Sequence, residues 1–422
     1  MSMYRVIYLF LASIFIMPSL AGCNSSSAKE TSPEVIEEPT QVGTPHVFIP
    51  STTVRGWRNK DPGTVIEVQN APPLSQIEGS SHALFVRYTT TNLNGEPVLA
   101  SGLVLFPTNK TFKDGELPLV VYGHMTTGAA DACAPSRSSP DSTELQKMQQ
   151  GDEIARQLLK EGVVVARPDY EGLGESGPHP YLRGDSLARS MRDMASAVTS
   201  YWGEIGDSWI AAGHSEGAVA ALNAGSRKHP EARNTKLIGV VAITPVTQIE
   251  KLVFLGEQIP LSGYPINELV ALTALILSGI ASEDPSFKKL ILEDGGLSPQ
   301  AVKLWPDIER YCLADLGQKS SWGGLSPWDL KGPRGSEASA ELKRALRADD
   351  VQHLPMRTEV PIRIDAGILD AVALLPFTEQ LVQTYRNNGY SVTFDRWLAG
   401  HSPTADMAAP AITRWIMERF QE

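Results

Sequence analysis

Residues 209–222 read Trp209-Ile210-Ala211-Ala212-Gly213-His214-Ser215-Glu216-Gly217-Ala218-Val219-Ala220-Ala221-Leu222. The first four are short, apolar and strand-like, and the last five form a mostly helix-favouring run. Between them lies G-x-S-x-G. A hydroxyl that is to attack a substrate must be exposed on a tight strand-to-helix turn, and glycines two before and two after the serine let that turn pack without clash. Such a motif also occurs in inert glycine-rich turns; the strand before it and the helix after it mark Ser215 as a candidate nucleophile.

The same rhythm extends outward. Residues 117–122 are strand-like, followed by a helical stretch at about 144–159. Residues 163–166 are strand-like, with a helix at about 187–202. Then come a strand at 208–212, a helix at 216–224 and a strand at 237–243. Fully apolar strands between helices predict a mostly parallel sheet flanked by helices on both faces, an α/β fold. Upstream, ordered pattern is expected from about His82, with strands at 84–89 and 98–106 joined by Asn92-Leu93-Asn94-Gly95 as a hairpin. From about 250 to 357 the alternation stops. This segment is expected as a cap insertion, and its apolar stretch 266–281 as either a buried core helix or part of a cap over an apolar site. The alternation resumes with a strand at 360–366, a helix at 376–388, a strand at 391–397 and a closing helix at 403–420.

On such a sheet the serine is followed in chain order by an acid and then a histidine, each beyond a strand's C-terminal end. His229, His353 and His401 follow Ser215. His229 lies past the far end of the nucleophile's helix and His353 precedes the strand expected to supply the acid. His401 follows the last strand and a glycine, and is assigned as general base. Asp365 and Asp370 compete as the acid. Asp365 lies inside the strand, whereas Asp370 lies just beyond it, where a carboxylate reaches a histidine Nδ1, so Asp370 is favoured. A developing oxyanion needs preorganised N–H donors. One is expected from the backbone of Glu216 and another from Gly123-His124-Met125-Thr126-Thr127-Gly128, through Met125 or Thr126. His124 has no second ligand at useful spacing and is taken as structural.

The chain has 422 residues, a net charge of -11, 20% charged residues and three cysteines. The acidic balance, without clustered Lys and Arg, argues against nucleic-acid binding. Cys23, Cys133 and Cys312 lack the close spacing of a zinc site, so no metal and no cofactor is expected. Residues 1–22 carry one charged side chain, Arg5, then an apolar run ending in Leu20-Ala21-Gly22 before Cys23, the layout of a signal peptide. The string resembles a bacterial lipobox, which implies acylation of Cys23 and attachment to a membrane. Asn24 after the cysteine leans, by the same resemblance, towards the outer membrane or cell surface of a Gram-negative bacterium. Residues 24–45 are rich in Ser, Thr, Glu and Pro and read as a tether; residues 23–60 are assigned to the lipidated N-terminus and tether, and 61–422 to one domain. With Cys23 lipidated, Cys133 and Cys312 remain in an oxidising setting, and one disulfide is expected.

Several further stretches carry a resemblance: Arg87-Tyr88-Thr89-Thr90-Thr91 with Gly95-Glu96-Pro97-Val98; Gly-His-Met-Thr-Thr-Gly leading into Cys133-Ala134-Pro135-Ser136; Asp169-Tyr170-Glu171-Gly172-Leu173-Gly174 with Gly177-Pro178-His179-Pro180-Tyr181. Together they resemble the secretory lipase family of the fungal lipase A type, from about Leu84 to the end. The resemblance implies an α/β-hydrolase fold with a helical cap or lid, cleavage of carboxylic esters with long or bulky acyl parts, and a triad of Ser215, Asp370 and His401. It also implies that the cysteine of Cys-Ala-Pro-Ser pairs with one in the lid, here Cys133 with Cys312. The chain departs from the family in having Met125 where many members have glycine, which bears on the contour of the oxyanion hole. The expected activity is a serine esterase or lipase acting through an acyl-enzyme; the same motif would also serve peptide, polyester or antibiotic-ester cleavage.

Overall fold

The structure, a computed structural model, describes residues 56–109 and 116–422. The signal peptide, Cys23 and the tether at 24–45 lie outside the described residues. Among the described residues nine strands form one sheet in the order β1-β2-β3-β5-β4-β6-β7-β8-β9: β1 Val65–Asn70, β2 Ser80–Thr91, β3 Pro97–Pro107, β4 Leu117–Gly123, β5 Val164–Pro168, β6 Ile205–His214, β7 Lys236–Ile243, β8 Ile362–Gly367 and β9 Val392–Trp397. From β5 through β4, β6, β7 and β8 to β9 the pairing is parallel, while β1, β2 and β3 add antiparallel strands at one edge. This is the α/β-hydrolase arrangement expected for the chain.

The period of two along each strand produces the two faces. Leu119 and Val121 of β4, Ala211 of β6 and Val240 and Ala242 of β7 pack into a core with α3 (Gly184–Tyr201) and α4 (Glu216–Ala224). Their neighbours Val120, Tyr122, Ile210, Ala212, Val241 and Ile243 pack on the opposite face against α2 (Asp152–Lys160) and α12 (Pro403–Gln421). Strands buried on both faces carry no polar alternation, which is why β4 is buried at every residue.

Three sequence expectations change. The helix expected at about 144–159 is two, α1 (Leu145–Met148) and α2, broken at Gly151. Gly151 has φ +98°, and a Cβ there would lie 2.4 Å from the Tyr122 ring. Order also begins before His82: β1 pairs with β2, with Val68 opposite Val86. β1 is a half-buried edge strand whose polar Glu67 and Gln69 dilute the apolar signal. A 3₁₀ turn at Trp57–Asn59 likewise falls within the stretch assigned to the tether.

Between β7 and β8 lie α5 (Ile249–Gly256), α6 (Ile266–Ala281), α7 (Pro285–Leu292), α8 (Pro299–Leu304), α9 (Leu313–Leu316) and α10 (Gly335–Ala348), with 3₁₀ turns between them; α11 (Leu375–Asn387) follows β8. Of the two readings of 266–281 the buried core helix is met: α6, within the cap insertion, buries Val270, Ala274, Leu275 and Ile280 in the same core as α3 and α4. The cap is fastened to the loop after β4. Cys133 and Cys312 are bonded across a separation of 179 residues, the Leu313 N–H donates to the Thr127 carbonyl at 2.9 Å, and the buried Glu144 accepts from the Ala314 N–H at 2.6 Å.

Candidate active site

Ser215 follows the last residue of β6 and precedes the first of α4, at φ 57° and ψ −111°. A positive φ at a residue with a Cβ is strained, and it persists only where the surroundings impose it. Here three glycines impose it. A Cβ on Gly213 would meet the Gly217 carbonyl oxygen at 2.1 Å, and one on Gly217 would meet the Gly123 oxygen at 2.0 Å. The nucleophile turn therefore packs backbone against backbone on the end of β4, where Gly123 is in register with Gly213. The G-x-S-x-G spacing is a consequence of that contact.

The structure brings Ser215, His401 and Asp370 together at the C-terminal ends of β6, β9 and β8. Ser215 Oγ lies 2.8 Å from His401 Nε2, and His401 Nδ1 lies 2.7 Å from Asp370 Oδ2. The other carboxylate oxygen, Oδ1, accepts the backbone N–H groups of Val372 and Ala373, both at 2.8 Å. Asp370 is thus held by its own loop with one oxygen turned to the imidazole. Its side chain is fully buried, that of His401 is 12% exposed, and Ser215 is 5% exposed, so the chain of hydrogen bonds is largely shielded from water.

The competing residues are elsewhere. Asp365 is bound on both oxygens by Arg363 at 2.7 and 2.8 Å and accepts the Trp397 indole N–H at 2.8 Å. Burial pushes its pKa up against the pull of Arg363. It is committed to a structural ion pair. His229 lies 3.4 Å from Asp185, and His353 is the exposed last residue of a 3₁₀ turn.

Both loops expected to supply oxyanion donors flank Ser215. Glu216 is the first residue of α4, where an amide has no intrahelical acceptor. Met125 and Thr126 are buried in the loop after β4, and the Thr126 hydroxyl is hydrogen-bonded to the Tyr181 hydroxyl at 2.8 Å. His124 is buried, with Nδ1 2.6 Å from the Met125 carbonyl. Burial keeps its pKa low, so it remains a neutral structural group. Among the described residues, no cluster of His, Cys, Asp and Glu could hold a metal ion.

Sequence reasoning missed two histidines. His214, the variable residue before the serine, is fully buried with its Nε2 3.2 Å from the His401 carbonyl. Burial, then the neighbouring His401, pushes its pKa well down, so a neutral ring donates to and steadies the His401 loop. His179 lies 3.0 Å from the Glu216 carboxylate. Their only sequence signal was their place within the motifs already quoted.

The fold of the described residues matches that of known lipases and esterases. The X-ray structure of Candida antarctica lipase A in its closed state superposes with a TM-score of 0.71 at 18% identity, covering 87% of this chain and 84% of that one. The rice cell wall degrading esterase LipA from Xanthomonas oryzae does so with 0.64 at 19% identity, over 86% and 98%. Among sequences, lipase A of Arthroderma benhamiae is 23% identical over 394 residues, 86% of this chain and 77% of the relative. Lipase 9 of Candida albicans is also 23% identical over 394 residues, 86% and 80%. The profile described as "Secretory lipase" matches residues 139–422. The chain belongs to the secretory lipase family and is a hydrolase of the lipase and esterase class.

Proposed function

We propose that this hydrolase cleaves carboxylic esters through Ser215, His401 and Asp370, with an acyl-enzyme intermediate, while exported and held at a membrane by acyl chains on Cys23. The observation that carries the catalytic reading is the unbroken run of hydrogen bonds from Ser215 Oγ through His401 to Asp370 Oδ2. Because Asp370 is an acceptor, the imidazole proton sits on Nδ1 and Nε2 is left to accept the serine proton. As Ser215 Oγ bonds to the ester carbon, His401 takes that proton, Asp370 stabilises the imidazolium, and the carbonyl oxygen turns towards the Glu216 amide and that of Met125 or Thr126. His401 then protonates the departing alcohol. A water attacks the acyl-enzyme by the reverse route and releases the acid and Ser215.

The domain division proposed with it is a signal peptide at 1–22, the acylated N-terminus and tether at 23–60, and one hydrolase domain at 61–422 with the cap at about 250–357. The location supported by the lipobox-like string and Asn24 is the outer membrane or surface of a Gram-negative bacterium. Turnover of p-nitrophenyl esters of graded chain length tests the activity. Ser215→Ala should abolish it with the fold intact; an active, folded Ser215→Ala protein would overturn the reading. Cys23→Ser should release the protein from the membrane fraction, and retention would rule out the lipid anchor.

A further inference from the structure

Glu216 is an anomaly. An acid in the first turn of a helix is common, because it faces the positive end of the helix dipole, but it is ordinarily solvated. This one is 1% exposed. A buried carboxylate is costly unless paired, and its partner is His179, whose Nε2 lies 3.0 Å from Glu216 Oε1, both side chains being closed to water. The other ring nitrogen, Nδ1, lies 2.9 Å from the Glu171 carbonyl oxygen. A carbonyl only accepts, so Nδ1 carries a hydrogen. Nε2 is then a lone pair facing a carboxylate oxygen unless one further proton lies between them. A 3.0 Å contact between two acceptors is repulsive; the pair therefore holds that proton, whether as imidazolium and carboxylate or as imidazole and acid.

We propose that this shared proton positions the oxyanion side of the site: the His179–Glu216 pair pins the residue whose backbone N–H is to receive the oxyanion, and Tyr181, two residues on, pins the opposite loop through Thr126. The inference rests on the Ser215 reading and extends it. The segment His179-Pro180-Tyr181 touches a residue on each side of the reacting carbonyl, Glu216 from the nucleophile turn and Thr126 from the loop after β4. It is itself braced. The His179 ring stacks on Tyr170 at 6.0 Å with planes 10° apart, and the Tyr170 hydroxyl donates to the His124 carbonyl at 2.9 Å. The cap presses on the segment from outside: a Cβ on Gly279 of α6 would stand 2.3 Å from the Tyr181 carbonyl oxygen. His179 and Tyr181 are thus positioning residues, acting through Glu216 and Thr126.

The pair has a titration consequence. Facing it are Glu171 and Tyr170 from the loop after β5, Tyr181, and His124 from the loop after β4; Arg189 of α3 acts on Glu171. Burial works to lower the His179 pKa, and the charge and hydrogen bond of Glu216, helped by Glu171, outweigh it, so the ring holds its proton above the usual range. A group whose folded pKa is raised is fully stabilising at low pH and loses that contribution as pH rises through the folded value. Above it, a buried carboxylate would face a lone pair and Glu216 would shift.

The test is kcat and KM on a p-nitrophenyl ester from pH 6 to 9.5 for the full chain and for His179→Ala and Glu216→Gln, with active sites counted by an organophosphate that labels Ser215. In Glu216→Gln the amide donates to a neutral His179 and there is no shared proton to lose. We expect the alkaline decline of wild-type kcat to be absent in Glu216→Gln when each protein is compared with its own kcat at pH 7. His179→Ala should lower kcat tenfold or more at unchanged KM, with Ser215 still labelled. The proposal is overturned by wild-type kcat in His179→Ala, or by the same alkaline profile in wild type and Glu216→Gln. If His179→Ala does not fold, the Glu216→Gln profile decides alone. Failure of Ser215 to label in wild type would instead overturn the triad reading and the inference with it.

Discussion

Asp370→Asn should lower kcat by about four orders of magnitude while leaving the protein folded, and the reason is a matter of counting donors. Oδ1 of Asp370 receives two backbone N–H groups at 2.8 Å. An asparagine can satisfy them only with its carbonyl oxygen there, because its NH₂ accepts nothing. The NH₂ is then turned to His401 Nδ1, 2.7 Å away in the wild type. Two donors cannot face each other, so the ring must move its hydrogen to Nε2, which points at Ser215 Oγ. A ring protonated on Nε2 cannot take the serine proton. Tautomer inversion in a triad costs about 10⁴ in kcat, roughly 5.5 kcal/mol of transition-state stabilisation. KM should hardly change, and thermal melting should stay close to wild type because both loop hydrogen bonds survive. The assay is steady-state hydrolysis of a p-nitrophenyl ester with melting followed by circular dichroism. The companion is Asp365→Asn, which breaks a buried ion pair. It should lose stability, about 3–5 kcal/mol or somewhat less because Arg363 keeps Asp395 at 2.7 Å, with little loss of kcat in the folded fraction. A folded Asp370→Asn protein with more than a tenth of wild-type kcat would refute the reasoning, as would Asp365→Asn alone abolishing activity.

Gly217→Ala should fold poorly and lose activity, because its Cβ would sit 2.0 Å from a backbone oxygen that cannot move without displacing β4; near-normal melting and kcat would contradict the packing argument. Replacing Cys133 and Cys312 together by serine should lower the melting temperature. The bond closes a separation of 179 residues, for which loop entropy gives an upper figure of about 5 kcal/mol; an unchanged melt would show that the cap fastens without it. Asp193 of α3, which accepts from the Thr90 hydroxyl at 2.6 Å, has its pKa raised by burial to about 6. The folded state therefore binds this proton more tightly than the unfolded chain, and stability falls as pH rises from about 4 to 6. Asp193→Asn, which keeps an acceptor for Thr90, should be more stable than wild type at pH 8 by on the order of 1–3 kcal/mol and equal to it near pH 4. Denaturant titrations at both values check this, and an equal gain at both would exclude the titration.

Much of the sheet and of the candidate site was legible in the residues themselves. Alternating apolar strands and helices gave the α/β class, because strands covered on both faces cannot carry polar residues. Ser215 and His401 stood out as candidates by position, since a turn between strand and helix and a loop after the last strand admit few alternatives. β1 was not legible, because a half-buried edge strand with Glu67 and Gln69 shares its pattern with a loop. The break at Gly151 was not either, because it depends on the Tyr122 ring arriving from another strand.

The choice between Asp365 and Asp370 shows where local information ends. Position favoured Asp370, yet only the fold reveals that Arg363 and Trp397 already occupy Asp365, while two loop amides leave one oxygen of Asp370 free for His401. The pairing of Glu216 with His179 lay wholly beyond the sequence, where Glu216 reads as an ordinary acid at a helix start. By itself the sequence determined which elements form and in what order, because those follow from local periodicity, glycine placement and side-chain type. The tertiary structure alone decided which polar groups share a proton or a hydrogen bond, because that depends on burial and on atoms from 31 to 186 residues apart being brought within about 3 Å.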